Sequence, residues 1–355
     1  MKKLILHVGL HKTGSTSIQQ SLFQNKHKLR EQEWHLFNYA PNGASEPTGN
    51  ANKWVQFSGE KEHFSAKLDL NICSQLKKIS SNVIITAEEM AWINSPEHVQ
   101  EIKQAFDDIF DDIKIIMYLR RQDRHFISHF QQGYKYLHST ARTFYGDHLL
   151  DEIKHSPYYA NYLNYYDKVR LWADSFGKDN IVVRVFEREK LVARDIVTDF
   201  YYHCGLDKSL VTAISTNEAF SLHRQVINRA LFNFAEPSWY SFKKLNWQRP
   251  KSERLNRPIG LDSKLSENIM RMYDLSNSQL AQYLGLDGAL FSQDDQQFLK
   301  SHDNSISVED ASEILGSVLN TFHSMSIARF SYLKYKKYKR KLYDRIKETI
   351  NSNSH

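Results

Sequence analysis

The chain begins with an apolar run that ends in a polar loop bracketed by glycines. Residues 4–8 (Leu-Ile-Leu-His-Val) are typical of a buried strand. Gly9 and Gly14 bracket the loop, and residues 15–17 (Ser-Thr-Ser) then begin a helical pattern. A strand–loop–helix unit directs backbone N–H groups and the positive end of a helix at an anion. The segment therefore predicts a phosphate-binding loop that follows a strand.

This loop differs from the loops that bind ATP. The spacing from Gly9 to Gly14 fits the first half of an ATP-binding P-loop, but that motif requires lysine directly after the second glycine. Ser15 stands there in this chain, and the lysine, Lys12, comes two residues before Gly14. A lysine at that place would reach the bridging oxygen of a 5′ group rather than β- and γ-phosphates. The loop is therefore predicted to bind a phosphate-like group in a different way.

Two further segments have a strand followed by polar residues. Residues 113–119 are predicted to form a strand that ends at Arg120, and Ser128 follows eight residues later within the next predicted helix. Residues 181–185 form another predicted strand, which leads into Phe186 and Glu187. Together with the first loop, these segments predict polar side chains at the carboxyl ends of three strands.

The three segments resemble those of sulfotransferases that use 3′-phosphoadenosine 5′-phosphosulfate (PAPS). Residues 11–17 resemble the family's 5′-phosphosulfate loop, and Arg120 and Ser128 have the spacing of its 3′-phosphate site. Phe186 is in the position of the aromatic residue in the family's aromatic-Glu pattern. The segments occur in the family's order, and the resemblance extends to about residue 292.

Two residues depart from the family pattern. Gln122 stands where proline is common, two residues after the arginine, and Ser17 stands where many cytosolic members have an aromatic residue that stacks on adenine. The second departure leaves the platform for the purine unassigned. Phe186 is the aromatic residue that would flank the adenine, with packing in the core as the equal alternative.

The resemblance implies an α/β, P-loop-like three-layer fold with a central parallel sheet flanked by helices, plus helical C-terminal additions. It implies PAPS as the donor, adenosine 3′,5′-bisphosphate as the product, and no metal. The cofactor-binding residues that it implies are Lys12, Thr13, Gly14, Ser15, Thr16, Ser17, Arg120, Ser128 and Phe186.

The general base has more than one candidate. Glu88 and Glu89 directly follow the predicted strand 83–86, and Glu88 matches a glutamate that related bacterial sequences often carry there. A carboxylate near a cleft can act as a general base, although an acid at a helix N-terminus is nearly as well explained by the helix dipole. We take Glu88 as the first candidate and His11 as the second. The candidate catalytic residues are therefore Lys12, Glu88 and His11.

Other residues have structural explanations that stay open at this point. Residues 15–17 could cap the helix as well as bind phosphate, since hydroxyl side chains favour that position. Arg120 could form a surface pair with Asp123, and Arg121 is its rival for the phosphate. His7 lies on the inward side of its strand and is predicted to be a core histidine with satisfied hydrogen bonds.

The order of predicted elements supports the fold class independently of the resemblance. Short apolar runs rich in β-branched residues alternate with helical patterns, which favours a parallel sheet covered by helices, with ligands at the carboxyl ends of the strands. The predicted strands are 4–8, 83–86, 113–119 and 181–185, and the predicted helices are 16–27, 98–110, 124–136, 161–176 and 194–203.

We predict a sulfotransferase domain over residues 1–292, with 220–292 as a helical part that faces the substrate. Residues 293–355 are predicted to form a helical extension with a basic tail. Residues 329–348 hold nine Lys or Arg and two acidic residues, so the rest of the chain has 38 basic and 39 acidic residues despite the net charge of +6. A near-neutral body argues against a nucleic-acid partner.

The tail has two interpretations, a solvated terminal helix or a helix on the inner membrane face, where its Lys and Arg would meet anionic lipid.

The N-terminal apolar stretch is broken by His7, His11 and Lys12, so a signal peptide is not predicted. Two distant cysteines suit a reduced interior, and we expect a cytoplasmic bacterial protein. The oligomeric state is not predicted.

Three functions compete. The first is transfer of a sulfuryl group from PAPS to a hydroxyl, for which resemblance to bacterial members suggests a carbohydrate acceptor such as a capsular, lipopolysaccharide or lipid-linked glycan. The second is a P-loop kinase or phosphotransferase, against which Ser15 and Arg120 argue because a P-loop enzyme needs lysine and a metal-binding aspartate there. The third is a nucleotide-binding protein without catalysis, which has no reason to keep Lys12.

Overall fold

The computed structural model describes residues 1–45, 51–59, 64–133, 157–211, 221–233, 245–261, 263–292 and 305–324. The chain divides into two compact units. The first unit comprises Met1–His129, Glu152–Asn217 and Ser263–Leu299, and the second comprises Phe130–Asp151, Glu218–Asp262 and Lys300–His355. The predicted boundary at residue 292 stays a prediction.

A five-stranded parallel sheet forms the centre of the first unit. Its strands are β1 (Lys3–His7), β2 (Trp34–Leu36), β5 (Asn82–Thr86), β6 (Asp112–Leu119) and β7 (Ile181–Val185). Their order across the sheet is β2-β5-β1-β6-β7, and every neighbouring pair is parallel. The central position of β1 places the loop after it between the ends of β5 and β6.

The sheet is covered on both faces, as the continuous apolar runs predict. Successive side chains of a strand point to opposite faces, and the apolar side chains of β1 at residues 4, 5 and 6 are all buried. On one face, Ile5 packs in a cluster with Ile18 and Leu22. Burial of each such side chain contributes about 1.5–3 kcal/mol. The predicted α/β fold with a central parallel sheet flanked by helices is confirmed.

Helices follow the strands in the order that the sequence predicts, with bounds that differ by a few residues. The helices of the first unit are α1 (Ser15–Gln24), α2 (Lys26–Glu31), α3 (Ile72–Leu76), α4 (Pro96–Asp107), α5 (Gln122–Gly133, whose end enters the second unit), α6 (Pro157–Leu163), α7 (Tyr165–Phe176), α8 (Ile196–Cys204), α11 (Ser263–Met272) and α12 (Asp274–Tyr283). The second unit contains α9 (Leu222–Asn233), α10 (Glu253–Asn256) and α13 (Val308–His323).

Three local features were not predicted. The predicted helix 161–176 is two helices, because Asn164 ends α6 and its side chain caps α7 by accepting a hydrogen bond from the N–H of Asp167. Strand β2 has only three residues, too few to show a pattern. A separate antiparallel hairpin, β3 (Val55–Ser58) and β4 (Ser65–Leu68), lies between β2 and β5 along the chain.

The basic tail 329–348 lies outside the described residues, so both of its interpretations stay open. Within the ranges that the structure describes, no helix has the length and apolar character to cross a bilayer.

Candidate active site

The loop after β1 ends in a helix N-terminus without a side-chain cap. Gly14 is the N-cap residue of α1 and has a left-handed conformation (φ 82°, ψ 10°), and its carbonyl accepts hydrogen bonds from the N–H groups of Ser17 (2.9 Å) and Ile18 (3.3 Å). Among the described residues no side chain caps the first turn of α1, and no acidic residue lies in that turn. The predicted capping by residues 15–17 is therefore not observed. The backbone N–H groups at this positive end of the helix can therefore bond to other acceptors, such as an anion.

The loop conformation requires particular residues. A Cβ atom on Gly14 would lie 3.1 Å from Cγ1 of Ile196 and 3.2 Å from the ring of Phe186. Lys12 also has a left-handed backbone (φ 66°), which costs a non-glycine residue energy. Thr13 is buried, and its hydroxyl donates to the carbonyl of Leu10 at 2.6 Å. Thr13 therefore helps to shape the loop.

Arg120 lies against this loop. Its Nη1 donates to the carbonyl oxygen of Lys12 at 2.9 Å, and the guanidinium carbon lies 5.7 Å from the centre of the Phe186 ring. Burial, together with the charge of Arg124, lowers the pKa of Arg120 to about 10, so the group stays protonated at neutral pH. Among the described residues no carboxylate forms a salt bridge with Arg120. The result is a positive charge at the loop that an anion would neutralise.

The alternative explanation for Arg120, a surface pair with Asp123, is not observed. The buried Asp123 carboxylate instead lies 3.1 Å from Nε of Arg121 and accepts a hydrogen bond from the Ser266 hydroxyl at 2.6 Å. Arg121 also donates to the carbonyl of Ser292 and lines a cleft of about 600 Å³. The other lining residues include Asp274, Asn277 and Gln282. The two arginines therefore face different surroundings.

Ser128 lies half-buried on α5, the helix after Arg120. Within the described ranges no hydrogen bond joins the two side chains, so their joint role at a 3′-phosphate stays a prediction. Phe186 is half-buried and packs against the core cluster beside Gly14. These contacts support core packing for Phe186. One edge of its ring also lies at the loop, and contact of that ring with a nucleotide stays a prediction.

The two glutamates after β5 lie beside the loop, because β5 is the neighbour of β1. Both belong to the 3-10 turn Glu88–Trp92. Oε2 of Glu88 is 3.5 Å from Nε2 of the buried Gln19, and Oε2 of Glu89 is 3.3 Å from Nε2 of His11. His11, the second candidate base, thus forms an ion pair with Glu89, which was named beside Glu88 but not among the candidate catalytic residues.

His11 is held on both sides of its ring. It is 2% exposed, and its Nδ1 lies 2.9 Å from the hydroxyl oxygen of Tyr162, which also accepts the His11 backbone N–H at 3.0 Å. Burial alone would lower the pKa of His11, but the nearby negative charges of Glu89 and Glu88 outweigh it and raise the pKa. Both ring nitrogens of His11 therefore already face a partner, Glu89 at Nε2 and Tyr162 at Nδ1, which makes His11 a less suitable acceptor for a substrate proton.

His7 is buried as predicted, but the predicted hydrogen bonds are absent. In the described part of the structure neither ring nitrogen has a partner, because the ring packs edge-on against Tyr118 and Phe200. Burial lowers the pKa of His7 to about 3, so it stays neutral. Its Nε2 would lie 2.5 Å from a Cβ atom on Gly9, which explains why glycine is needed there.

Two further histidines lie near His11 of the loop. His125 and His129 are four residues apart on α5, a spacing that the sequence analysis overlooked, and the His129 ring is 5.4 Å from that of His11. Burial lowers the pKa of both well below the usual value. In the described ranges no group of three or more His, Cys, Asp or Glu is arranged to hold a metal ion.

No protein-family model matches the chain, and no curated protein sequence does. Among solved structures, the chain is similar to a sulfotransferase from Alicyclobacillus acidocaldarius, with 15% sequence identity and a TM-score of 0.45. The match covers 81% of this chain and 98% of the other.

Proposed function

We propose that the chain is a sulfotransferase that moves a sulfuryl group from PAPS to a hydroxyl of an acceptor. The observation that carries the proposal is the charge arrangement at the loop after β1. Two positive groups meet at this loop. They are the N-terminus of α1, which no described side chain caps, and the Arg120 guanidinium, which forms no salt bridge among the described residues. Both favour the anionic groups of the donor, the helix N-terminus the 5′-phosphosulfate and Arg120 the 3′-phosphate.

The reaction is an in-line displacement. The acceptor oxygen forms a bond to sulfur while the bond from sulfur to the bridging 5′ oxygen breaks, and adenosine 3′,5′-bisphosphate leaves. Negative charge develops on the bridging oxygen. A cation at that oxygen stabilises the transition state more than the ground state, which is what catalysis requires. We assign this role to Lys12 and the N–H groups of the loop.

Glu88 is the best candidate for the base that takes the acceptor proton. Glu89 is paired with His11, so one of its carboxylate oxygens already has a partner. Glu88 contacts the neutral amide of Gln19 instead. The structure therefore favours Glu88 over both alternatives, and His11 with Glu89 becomes a supporting ion pair.

The acceptor proposed here is a carbohydrate, for which a capsular, lipopolysaccharide or lipid-linked glycan would supply the hydroxyl. A protein that works on a lipid-linked glycan in the cytoplasm would gain from a basic tail at the inner membrane face. We test the function with PAPS labelled with ³⁵S and a panel of glycan acceptors. Transfer of label to an acceptor supports the proposal, and absence of transfer with every acceptor, together with no release of the bisphosphate, contradicts it.

Replacing Glu88 by glutamine should lower kcat by roughly 10²-fold or more, because a positioned base contributes on that scale. The affinity for adenosine 3′,5′-bisphosphate should be nearly unchanged, and calorimetric titration checks it. Glu89→Gln is the matched control, since it removes the neighbouring carboxylate of the same turn. A larger fall in kcat for Glu89→Gln than for Glu88→Gln would assign the base to Glu89.

A further inference from the structure

Tyr162 contacts the loop from a distant part of the chain. Its hydroxyl lies on α6, whereas its partner His11 lies in the loop after β1. The hydroxyl accepts the His11 backbone N–H at 3.0 Å and lies 2.9 Å from Nδ1 of the ring. One oxygen thus fixes both the backbone and the ring of the residue next to Lys12.

The Tyr162 ring is itself held firmly. Tyr162 is fully buried, and its ring stacks on Trp92 with 4.0 Å between ring centres. The Lys168 ammonium lies 5.1 Å from the centre of the same ring. Lys168 also donates to the carbonyl of Ala91 (2.6 Å) and to Oδ1 of Asn94 (2.8 Å).

These contacts join the two parts of the candidate site. Trp92 and Ala91 end the 3-10 turn that begins with Glu88 and Glu89. The turn with the carboxylates and the loop with Lys12 are therefore held by the same tyrosine. We propose that Tyr162 is a positioning residue, which aims the His11 ring at Glu89 and fixes the loop that carries Lys12. This inference rests on the proposed function for its effect on turnover, but not for its effect on His11.

The charged and titratable groups around His11 set the direction of the effect. They are Glu88 and Glu89 from the turn, Lys12 from the loop, and His125, His129 and Tyr162 from the helices. A hydrogen bond to a charged group is stronger than one to a neutral group. Loss of the Tyr162 hydroxyl should therefore destabilise the imidazolium more than the imidazole, which lowers the pKa of His11.

The test is Tyr162→Phe, which removes only the hydroxyl. The His11 titration is followed by NMR in the whole chain, with His11→Asn to assign the signal. We expect the pKa of His11 to fall by at least half a pH unit. We also expect kcat to fall by about tenfold, with KM for PAPS changed less. Tyr201→Phe is the matched control, because Tyr201 is also buried and its hydroxyl accepts a hydrogen bond from Ser21 away from His11.

The proposal is overturned if folded Tyr162→Phe keeps both the His11 titration and kcat of the parent, or if Tyr201→Phe changes them equally. Should Tyr162→Phe not fold, Trp92→Phe loosens the stack while it keeps the hydroxyl. The same directions of change are then expected at smaller size, and no change in either contradicts the proposal. The NMR result needs no turnover, so a chain that transfers no sulfate refutes the proposed function and still decides the role of Tyr162.

Discussion

Replacing Lys12 by alanine should lower kcat for sulfuryl transfer by about 10²-fold or more, the scale for removal of a group that stabilises charge in the transition state. Binding of adenosine 3′,5′-bisphosphate should weaken less, because the uncapped N-terminus of α1 and the Arg120 guanidinium stay in place. Single-turnover rates with saturating PAPS measure the chemical step separately from binding.

The backbone at Lys12 requires a control. Its left-handed conformation (φ 66°) is unfavourable for alanine but not for glycine. Lys12→Gly therefore removes the side chain without adding strain, and both variants should lose the same activity. If Lys12→Gly keeps the parent rate while Lys12→Ala does not, the loss comes from the loop backbone and the ammonium has no role in transfer.

The largest effect on stability is expected from Asp199, a fully buried carboxylate on α8. It accepts hydrogen bonds from the hydroxyl of Tyr118 (2.8 Å), from Nε and Nη2 of Arg184 (3.0 and 2.7 Å), and from the N–H of Val192 (2.9 Å). Tyr118 lies on β6 and Arg184 on β7. The Asp199 carboxylate therefore connects α8 to β6 and β7, and the charge of Arg184 compensates its own.

Asp199→Asn should lower the free energy of unfolding by about 3 kcal/mol or more, because removal of one partner leaves a partly buried guanidinium unpaired. Urea unfolding at neutral pH measures the loss. Asp195→Ala at the start of the same helix is the control, since Asp195 caps α8 by accepting hydrogen bonds from the N–H and the hydroxyl of Thr198. Its loss should cost about 1 kcal/mol. Equal losses in the two variants would show that the buried network contributes little.

The pH dependence gives a second measurement on Asp199. Burial would raise the pKa of Asp199, but the bonds from Arg184, Val192 and Tyr118 outweigh it and lower the pKa below 3.8. A lowered pKa in the folded state stabilises the protein above the pKa of the unfolded chain, and this contribution is lost as the pH falls through the lower value. The difference between parent and Asp199→Asn should be constant above about pH 5 and shrink below about pH 4.

Sequence patterns were sufficient to predict the sheet and part of the candidate site. Strands such as β1 and β6 are buried on both faces and read as continuous apolar runs, so their positions could be predicted. Because β5 and β1 are neighbours, residues after both strands meet at one edge. The same reasoning that selected Glu88 could also have paired Glu89 with His11.

Contacts between distant residues could not be predicted in this way. Tyr162 and His11 are 151 residues apart, and nothing local to α6 distinguishes Tyr162 from the other tyrosines around it. The partner of Arg120 could not be predicted from the sequence either, because an arginine at the end of a strand can bond to a carboxylate, a phosphate or a carbonyl. Its contact with the carbonyl of Lys12 depends on the left-handed turn of that loop, which side-chain patterns do not show.

The most direct test of the phosphosulfate-loop assignment is thermal unfolding of the whole chain with adenosine 3′,5′-bisphosphate, with ATP and Mg²⁺, with adenosine 5′-monophosphate, and without nucleotide. A ligand at a hundredfold excess over Kd stabilises the folded state by about 2.7 kcal/mol. We predict a clear rise in Tm with the bisphosphate, a smaller one with the monophosphate, and least with ATP. The same thermal unfolding of Arg120→Ala and Arg121→Ala should show which arginine binds the 3′-phosphate. A rise with ATP and Mg²⁺ that equals or exceeds the rise with the bisphosphate, or no rise with the bisphosphate at all, would contradict the account.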